Sequence, residues 1–356
     1  MLSIQQFDYS LPPSLIAQAP LKNRAESRLL VLNRTTLTLF HHQFNELVSL
    51  LQPGDVLVRN ETKVIPARLF GQLQSGKKIE VLLLNPSDDS GIKWKCLTKP
   101  GIAQQAKIFF SAAVEALNHS SKDAYTKEIE FSCTKAELHE FILKKGHTPL
   151  PPYISNSSSE KILRQQYQTT YALREGSVAA PTAGLHFTPT LDKELQKGGI
   201  TIVPITLHVG LGTFAPLREN SFSAKQIHSE WFSLSSDATK KINQAKSEHR
   251  RIIAVGTTTA RTLESCSDAE GRISPQTGET SLFIFPPYTF KAIDALITNF
   301  HLPKSSLLTL VSAFVSTPNT SELFTSFSDS LVGKSYQIAI EEKYRFYSFG
   351  DAMLIT

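Results

Sequence analysis

The stretch Ile252-Ile253-Ala254-Val255-Gly256-Thr257-Thr258-Thr259-Ala260-Arg261 decides the fold class. Four apolar residues bounded by a glycine read as a short strand buried on both faces. The glycine and three threonines read as a tight turn, and the residues through Arg261 and Glu264 as a helix. Ile293 to Thr298 repeats the scheme, with Asn299-Phe300-His301-Leu302-Pro303 as its loop and Ser305 or Ser306 capping an apolar helix from Leu307 to Val315. Further strands are predicted at Arg28 to Leu32, at Val56-Leu57-Val58 after the turn Pro53-Gly54-Asp55, and at Ile200 to His208. Pro204 makes the last an edge or bulged strand. Phe44, Leu47, Val48 and Leu51 have helical spacing. The rhythm predicts an α/β fold: a largely parallel sheet with helices.

Between about Ala67 and Pro152 the pattern changes. Leu69 to Leu73 and Ile79 to Leu84 read as strands joined by the hairpin turn Gln74-Ser75-Gly76-Lys77. Trp94 to Leu97, Lys107 to Phe110 and Ile129 to Phe131 add short strands, and only Lys135 to Lys144 looks helical. The expected organisation is a discontinuous α/β catalytic domain, 1–66 and 153–356, interrupted by an inserted small β-barrel domain at 67–152.

The 356 residues are 41% hydrophobic and 19% charged, enough for a sizeable core and too apolar for a disordered chain. A formal charge of +5 permits an anionic partner without requiring one. Three scattered cysteines make neither a metal knuckle nor a disulfide framework. No segment reaches the ~18 apolar residues of a membrane span, and the N-terminus has no basic head with an apolar core. The expectation is a soluble cytoplasmic protein.

Candidate chemistry gathers in loops. In Tyr171 to Thr188, YALREGSVAAPTAGLHFT, the small apolar run Ser177 to Ala180 reads as a buried strand, followed by a polar turn carrying Thr182, Gly184 and His186. Thr188 is placed to cap a short helix, with Pro189 at its first position. Gly256 to Thr259 with Arg261 offers N–H groups, hydroxyls and a cation to a carboxylate or phosphate. The blander reading is threonine capping with Arg261 paired to Glu264. Gly210 to Ala215 formally matches a dinucleotide fingerprint, but residues 216–226 lack the helical stripe that motif needs. Its glycines, Gly210 and Gly212, instead let backbone approach a ligand. His186, His208, His228, Glu230 and His301 raise a metal-dependent hydrolase as a rival, yet no HExxH or His-x-His pair is present. Histidines near their ordinary pKa suit proton transfer equally well.

Several stretches then fall into one pattern: FDYSLPPSLIAQAP, PGDVLVRNETKVIPARLFG, YQTTYALREGSVAAPTAGLHFT, TLHVGLGTFAPL, AVGTTTARTLES, TNFHLPKSSLLTLVSAF and YSFGDAMLIT, in that order. From end to end the chain resembles the S-adenosylmethionine:tRNA ribosyltransferase-isomerases of queuosine biosynthesis. It departs at Glu61, Ser306 and Phe349, where the family more often has Asp, Thr and Tyr, so no phenol acts at 349.

The resemblance implies an α/β domain interrupted by a β-barrel. It implies that the ribosyl part of S-adenosylmethionine moves onto the aminomethyl group of a deazaguanine (preQ1) at the tRNA wobble position, giving epoxyqueuosine with loss of adenine and methionine. S-adenosylmethionine is then a co-substrate, with no resident cofactor or metal, no membrane and no stable protein partner implied. A base must take the acidic C5′ hydrogen beside the sulfonium, and the methionine carboxylate needs a receptor.

On that reading the polar loops converge at one end of the sheet. His186, His208 and His301 are candidates for proton transfer, with His228 and Glu230 as a supporting pair. Arg261 and the helix start at Gly256, Thr257, Thr258 and Thr259 take the methionine carboxylate. Thr182, Gly184, Gly210, Gly212 and Asn299 line the substrate pocket, and Asp351 holds the substrate amine. Arg24, Arg28, Lys63, Arg68, Lys77 and Lys78 are expected to meet the anticodon arm. A non-catalytic RNA-binding protein is the remaining alternative.

Overall fold

Side chains alternate along Val56-Leu57-Val58 and Ile252-Ile253-Ala254-Val255 between two separate apolar layers. Val56, Val58, Ile252 and Ala254 enter one, and Leu57, Ile253 and Val255 the other. Both strands therefore lie in the middle of a sheet covered on both faces, which is why they read as continuous apolar runs. The computed structural model describes residues 2–119, 126–210, 217 and 219–356.

In chain order the strands are β1 (Arg28–Asn33), β2 (Thr38–Gln43), β3 (Val56–Asn60), β4 (Thr62–Val64), β5 (Arg68–Leu73), β6 (Lys78–Pro86), β7 (Lys93–Lys99), β8 (Lys107–Phe109), β9 (Glu115–His119), β10 (Lys127–Phe131), β11 (Arg174–Ser177), β12 (Thr201–Leu207), β13 (Gln226–Leu234), β14 (Ile252–Val255), β15 (Gln276–Leu282), β16 (Ala295–Asn299) and β17 (Ala352–Ile355).

Among the described residues the main sheet has nine strands, ordered β15-β13-β12-β3-β14-β16-β17-β1-β2. Its centre, β12-β3-β14-β16, is parallel as expected. Antiparallel pairs extend it, with β13 and β15 at one side, β2 at the other and β17 against β16, so the whole is mixed. Pro204 does sit on a one-sided stretch. β12 pairs with β3 from Thr201 to Ile205, while its pairing with β13 begins only at Thr206. One expected strand is misplaced. The pairing segment is Arg174–Ser177, against β4 in a two-stranded sheet, and Val178 to Ala180 lies outside it. Those residues satisfy their backbone by other means: Val178 N–H donates to the Val209 carbonyl and the Ser177 hydroxyl to that of Ala179.

The barrel is closed, in the order β10-β7-β6-β5-β8-β9, with every neighbouring pair antiparallel. Leu69, Ile79, Val81, Leu83, Trp94, Cys96, Ile108, Ala116, Ile129 and Phe131 point inward at the period of two that strands impose. The helix Lys135–Lys145 starts at a Thr134–Glu137 capping box and adds Leu138 and Ile142 to that core.

Candidate active site

A cleft opens at the ends of β12, β14 and β16. It is lined by Pro181, Thr182 and Ala183, by Val209, by Gly256 to Thr258, and by Thr298 to Leu302, with Tyr153, Tyr347 and Ser348 completing the wall. The four loops expected to meet do meet. The aromatic and serine members had no local signal, because Tyr153 and Ser348 reach each other (Oη to Oγ 2.7 Å) only through the fold.

The helix Thr257–Ser265 begins at this cleft. Gly256, its N-cap, has φ +88°, a conformation only glycine takes without strain. Of the threonines that follow, Thr259 turns its hydroxyl back onto the Val255 carbonyl at 2.7 Å and is structural. Thr258 is 6% exposed, and its Oγ1 has no hydrogen-bond partner among the described residues. A buried unpaired hydroxyl at a helix N-terminus is a ready receptor for an anion.

Asn299 supplies the second unpaired group. Its Nδ2 faces the Asp351 carbonyl at 3.3 Å and His186 Nε2 at 3.2 Å. A carbonyl only accepts, so the amide nitrogen must lie on that side, and His186 Nε2 is then an acceptor as well. His186 Nδ1 therefore carries the proton and donates to Ser27 Oγ at 2.7 Å, whose hydroxyl donates to the Arg24 carbonyl at 3.0 Å. This chain fixes the amide, and Asn299 Oδ1 is buried with no partner among the described residues, in a residue that lines the cleft.

The histidines part company. Thr298 and Asn299 are successive residues of β16 and face opposite sides of the sheet. His301 Nε2 meets Thr298 Oγ1 at 2.6 Å on one side; His186 meets Asn299 and stacks on Phe44 on the other. No single pocket holds both rings, and His301 is the one lining the cleft. Burial lowers His186 and His301 to about 3, with Arg345 and Arg24 adding to the effect at His186. His208, lowered by burial to about 4, stacks on Trp231 and bonds Thr62 Oγ1 at 2.8 Å. Each is neutral at pH 7. His228 is exposed on β13, apart from buried Glu230, so the expected pair is not formed.

Three other assignments change. Arg261 is buried in an ion pair with Glu230 and donates to the Leu282 carbonyl; it does not line the cleft, and its charge is already compensated. Glu230 also accepts from Gly210 N–H at 2.8 Å. Asp351 spends its two oxygens on the backbone N–H groups of Arg28 (3.0 Å) and Arg345 (2.8 Å), and its carboxyl is raised by burial, so it ties chain segments together instead of facing a substrate. Gly184 lies in a 3₁₀ turn, where a Cβ would come 2.1 Å from Tyr171 Oη; packing requires this glycine. Gly212 and most of the fingerprint fall outside the described residues, and the helix that follows, Glu219–Ala224, has only six residues. Phe349 packs edge-on against Tyr167.

The basic set divides as well. Arg24 donates to the carbonyls of Gln165, Gln166 and Gln168, closing the end of the helix Glu160–Gln166. Arg28 lies over the Tyr344 ring and donates to the Glu342 carbonyl. Arg68 bonds the Leu150 carbonyl and Glu80, and Lys63 pairs with Glu175. Lys77 and Lys78 are exposed, with no ion pair among the described residues. Among those residues no group of three or more His, Cys, Asp or Glu stands where it could hold a metal ion, and no helix is long and apolar enough to cross a membrane.

Comparison with known proteins agrees with this architecture. The sequence profile of the queuosine biosynthesis protein family matches residues 4–355. The chain is 45% identical to the S-adenosylmethionine:tRNA ribosyltransferase-isomerase of Desulforamulus reducens, over 99% of this chain and 100% of that one. It is 46% identical to the Moorella thermoacetica protein of the same name, with the same coverage. The crystal structure of S-adenosylmethionine tRNA ribosyltransferase from Thermotoga maritima superposes with a TM-score of 0.55 at 34% identity, covering 99% of this chain and 100% of that one. With its profile matched throughout and its sheet and barrel in place, the chain belongs to the queuosine biosynthesis protein family, whose curated relatives here are S-adenosylmethionine:tRNA ribosyltransferase-isomerases.

Proposed function

We propose that this chain transfers and isomerises the ribosyl portion of S-adenosylmethionine onto the aminomethyl-deazaguanine of a tRNA wobble position, giving epoxyqueuosine and releasing adenine and methionine. S-adenosylmethionine is consumed as a co-substrate. The observation that supports this reading is that two residues lining one cleft each hold a buried oxygen with no partner among the described residues, a donor at Thr258 Oγ1 and an acceptor at Asn299 Oδ1. An amino-acid zwitterion answers both. Its carboxylate takes the Thr258 hydroxyl and the free N–H groups of the helix start, and its ammonium donates to the Asn299 oxygen.

Arg261 is not needed for that role, because its neighbour Glu230 already neutralises it. We assign the proton transfer at the ribose to His301, because it is the histidine that lines the cleft. His186 acts through Asn299, as a positioning residue.

Incubation with precursor-modified tRNA and S-adenosylmethionine tests the reaction. Release of adenine and methionine without RNA methylation is expected. Methylated RNA, turnover abolished by chelators, or RNA binding with no turnover would each overturn the reading. Thr258→Val tests the placement. It removes the hydroxyl at nearly constant volume and should raise KM for S-adenosylmethionine roughly tenfold or more, as loss of a hydrogen bond to a charged group does. An unchanged KM would move the carboxylate elsewhere.

A further inference from the structure

The barrel carries a second surface with the chemistry of a ligand site. Strand alternation that sends Leu69 and Ile108 inward sends Phe70 and Phe109 outward, and they are 54% and 37% exposed. Phe110 is different: its ring packs inside against Phe131 and Phe141. Phe70 and Phe109 line one groove with Gln72, Lys78, Lys99 and Ser111. Lys78 and Lys99 are exposed and make no ion pair among the described residues, while Glu80, the groove's acid, is paired with Arg68 at 3.3 Å. The groove is thus aromatic and net positive, with Lys77 beside it.

The register fixes where the two rings are rooted. Gln72 of β5 lies opposite Phe109 of β8, so Phe70 is Phe109's diagonal neighbour on the same face. Such neighbours are about 7–8 Å apart, roughly twice the 3.4 Å rise between stacked bases. A spacing of that order suits one base between two aromatic side chains, with lysines for its phosphates. Every base offers a π-face, so this kind of site tolerates any sequence.

The groove also lies within reach of the cleft. His147 packs edge-on against Phe70, and Tyr153 lines the cleft. Six residue steps separate them, which extended chain spans in at most ~22 Å.

We propose that this groove is a nucleobase-stacking site, in which Phe70 and Phe109 sandwich one unpaired base of the RNA whose wobble base occupies the cleft. The proposal rests on the RNA substrate named above, and it adds the barrel as a second anchor of different chemistry. Binding a base there helps hold the RNA while the wobble nucleotide is drawn out of its own stack. A second copy of the chain is the competing occupant, but the unpaired lysines favour a polyanion over an identical, equally basic surface.

The test is binding of an unmodified anticodon stem-loop RNA, followed by fluorescence anisotropy and by quenching of 2-aminopurine placed at each loop position in turn. Phe70→Ala and Phe109→Ala should each weaken binding roughly fivefold or more. At one loop position the quenching should disappear in both variants. Phe70→Trp should restore both signals, and Phe70→Leu should not. Lys78→Ala and Lys99→Ala should each lower the salt slope by roughly one unit. Full affinity in both alanine variants, or rescue by Phe70→Leu, would overturn the stacking site. So would a change in molecular mass by sedimentation on Phe70→Ala, which would mark an interface between copies. Because RNA affinity is read without turnover, these outcomes stay separate from failure of the proposed reaction, which adenine release reports.

Discussion

Asn299 shows how one side chain acquires direction from others. Its amide is held by the Asp351 carbonyl and by His186, and His186 is held by Ser27. His186→Phe keeps a ring on Phe44 but deletes both hydrogen bonds. KM for S-adenosylmethionine should rise and the pH profile of turnover should keep its shape. Loss of a true acid or base would instead lower turnover by ~10²–10⁴-fold, which is the result expected for His301→Ala. The same burial makes the histidines acid-sensitive. His186, His301 and His208 titrate near 3, 3 and 4 in the folded chain, below the ordinary value of 6.5. The unfolded chain therefore binds protons that the folded chain refuses. The stability these groups contribute is complete above about pH 6.5 and is lost as pH falls toward 3. Asp351 and Glu264, raised by burial, oppose this at the acidic end. Urea midpoints should fall between pH 7 and 5, and the fall should be shallower in His301→Gln; equal slopes would remove His301 from the account. The sequence showed polar candidates gathered in loop motifs, but not which way they face. That His186 and His301 lie on opposite sides follows from the alternation of Thr298 and Asn299, which is legible only once β16 is known to reach Asn299.

At the scale of elements, the helix Thr257–Ser265 was legible because its strand, turn and cap are contiguous. Its far partners were not. Arg261 finds Glu230 on β13 instead of Glu264 one turn on, and Glu264 accepts from the backbone N–H groups of Lys291 and Ala292. Strands β13 and β15 are polar, QIHSEWFSL and QTGETSL, and form by pairing with each other at the sheet's side, so neither shows an apolar run. β9, EALNH, was missed for the same reason. The buried ion pair has a clear expected cost. Glu230→Ala leaves Arg261 uncompensated and should destabilise by about 3–5 kcal/mol. The double replacement Glu230→Leu with Arg261→Met should lose less than either single change in urea unfolding. Strictly additive losses would mean that the two charges do not depend on each other.

Over the whole molecule, the barrel and the parallel centre were both readable from period and punctuation, while the position of β17 was not. Ala352–Ile355 pairs in parallel with β1 and antiparallel with β16, so it joins the β1–β2 hairpin to the rest of the sheet. Asp351 locks the same junction through the Arg28 N–H, across 323 residues of sequence. Time enters here. During synthesis at about 5–20 residues per second, β1 waits roughly 16–65 s for the strand that completes its pairing. Throughout that interval Leu29 to Leu32 present an apolar edge with nothing beside it, the kind of surface that aggregates. Long-range closure is also the slow kind, because its entropy cost falls due before any contact repays it. In refolding followed by pulsed hydrogen exchange, the β1 amides that face β17 should gain protection in the last phase, after those of β3 and β14. Protection of β1 in the first phase would refute that order. If the order holds, the nascent chain's dependence on shielding is set by where β17 sits, and a faster-folding barrel would do nothing to shorten it.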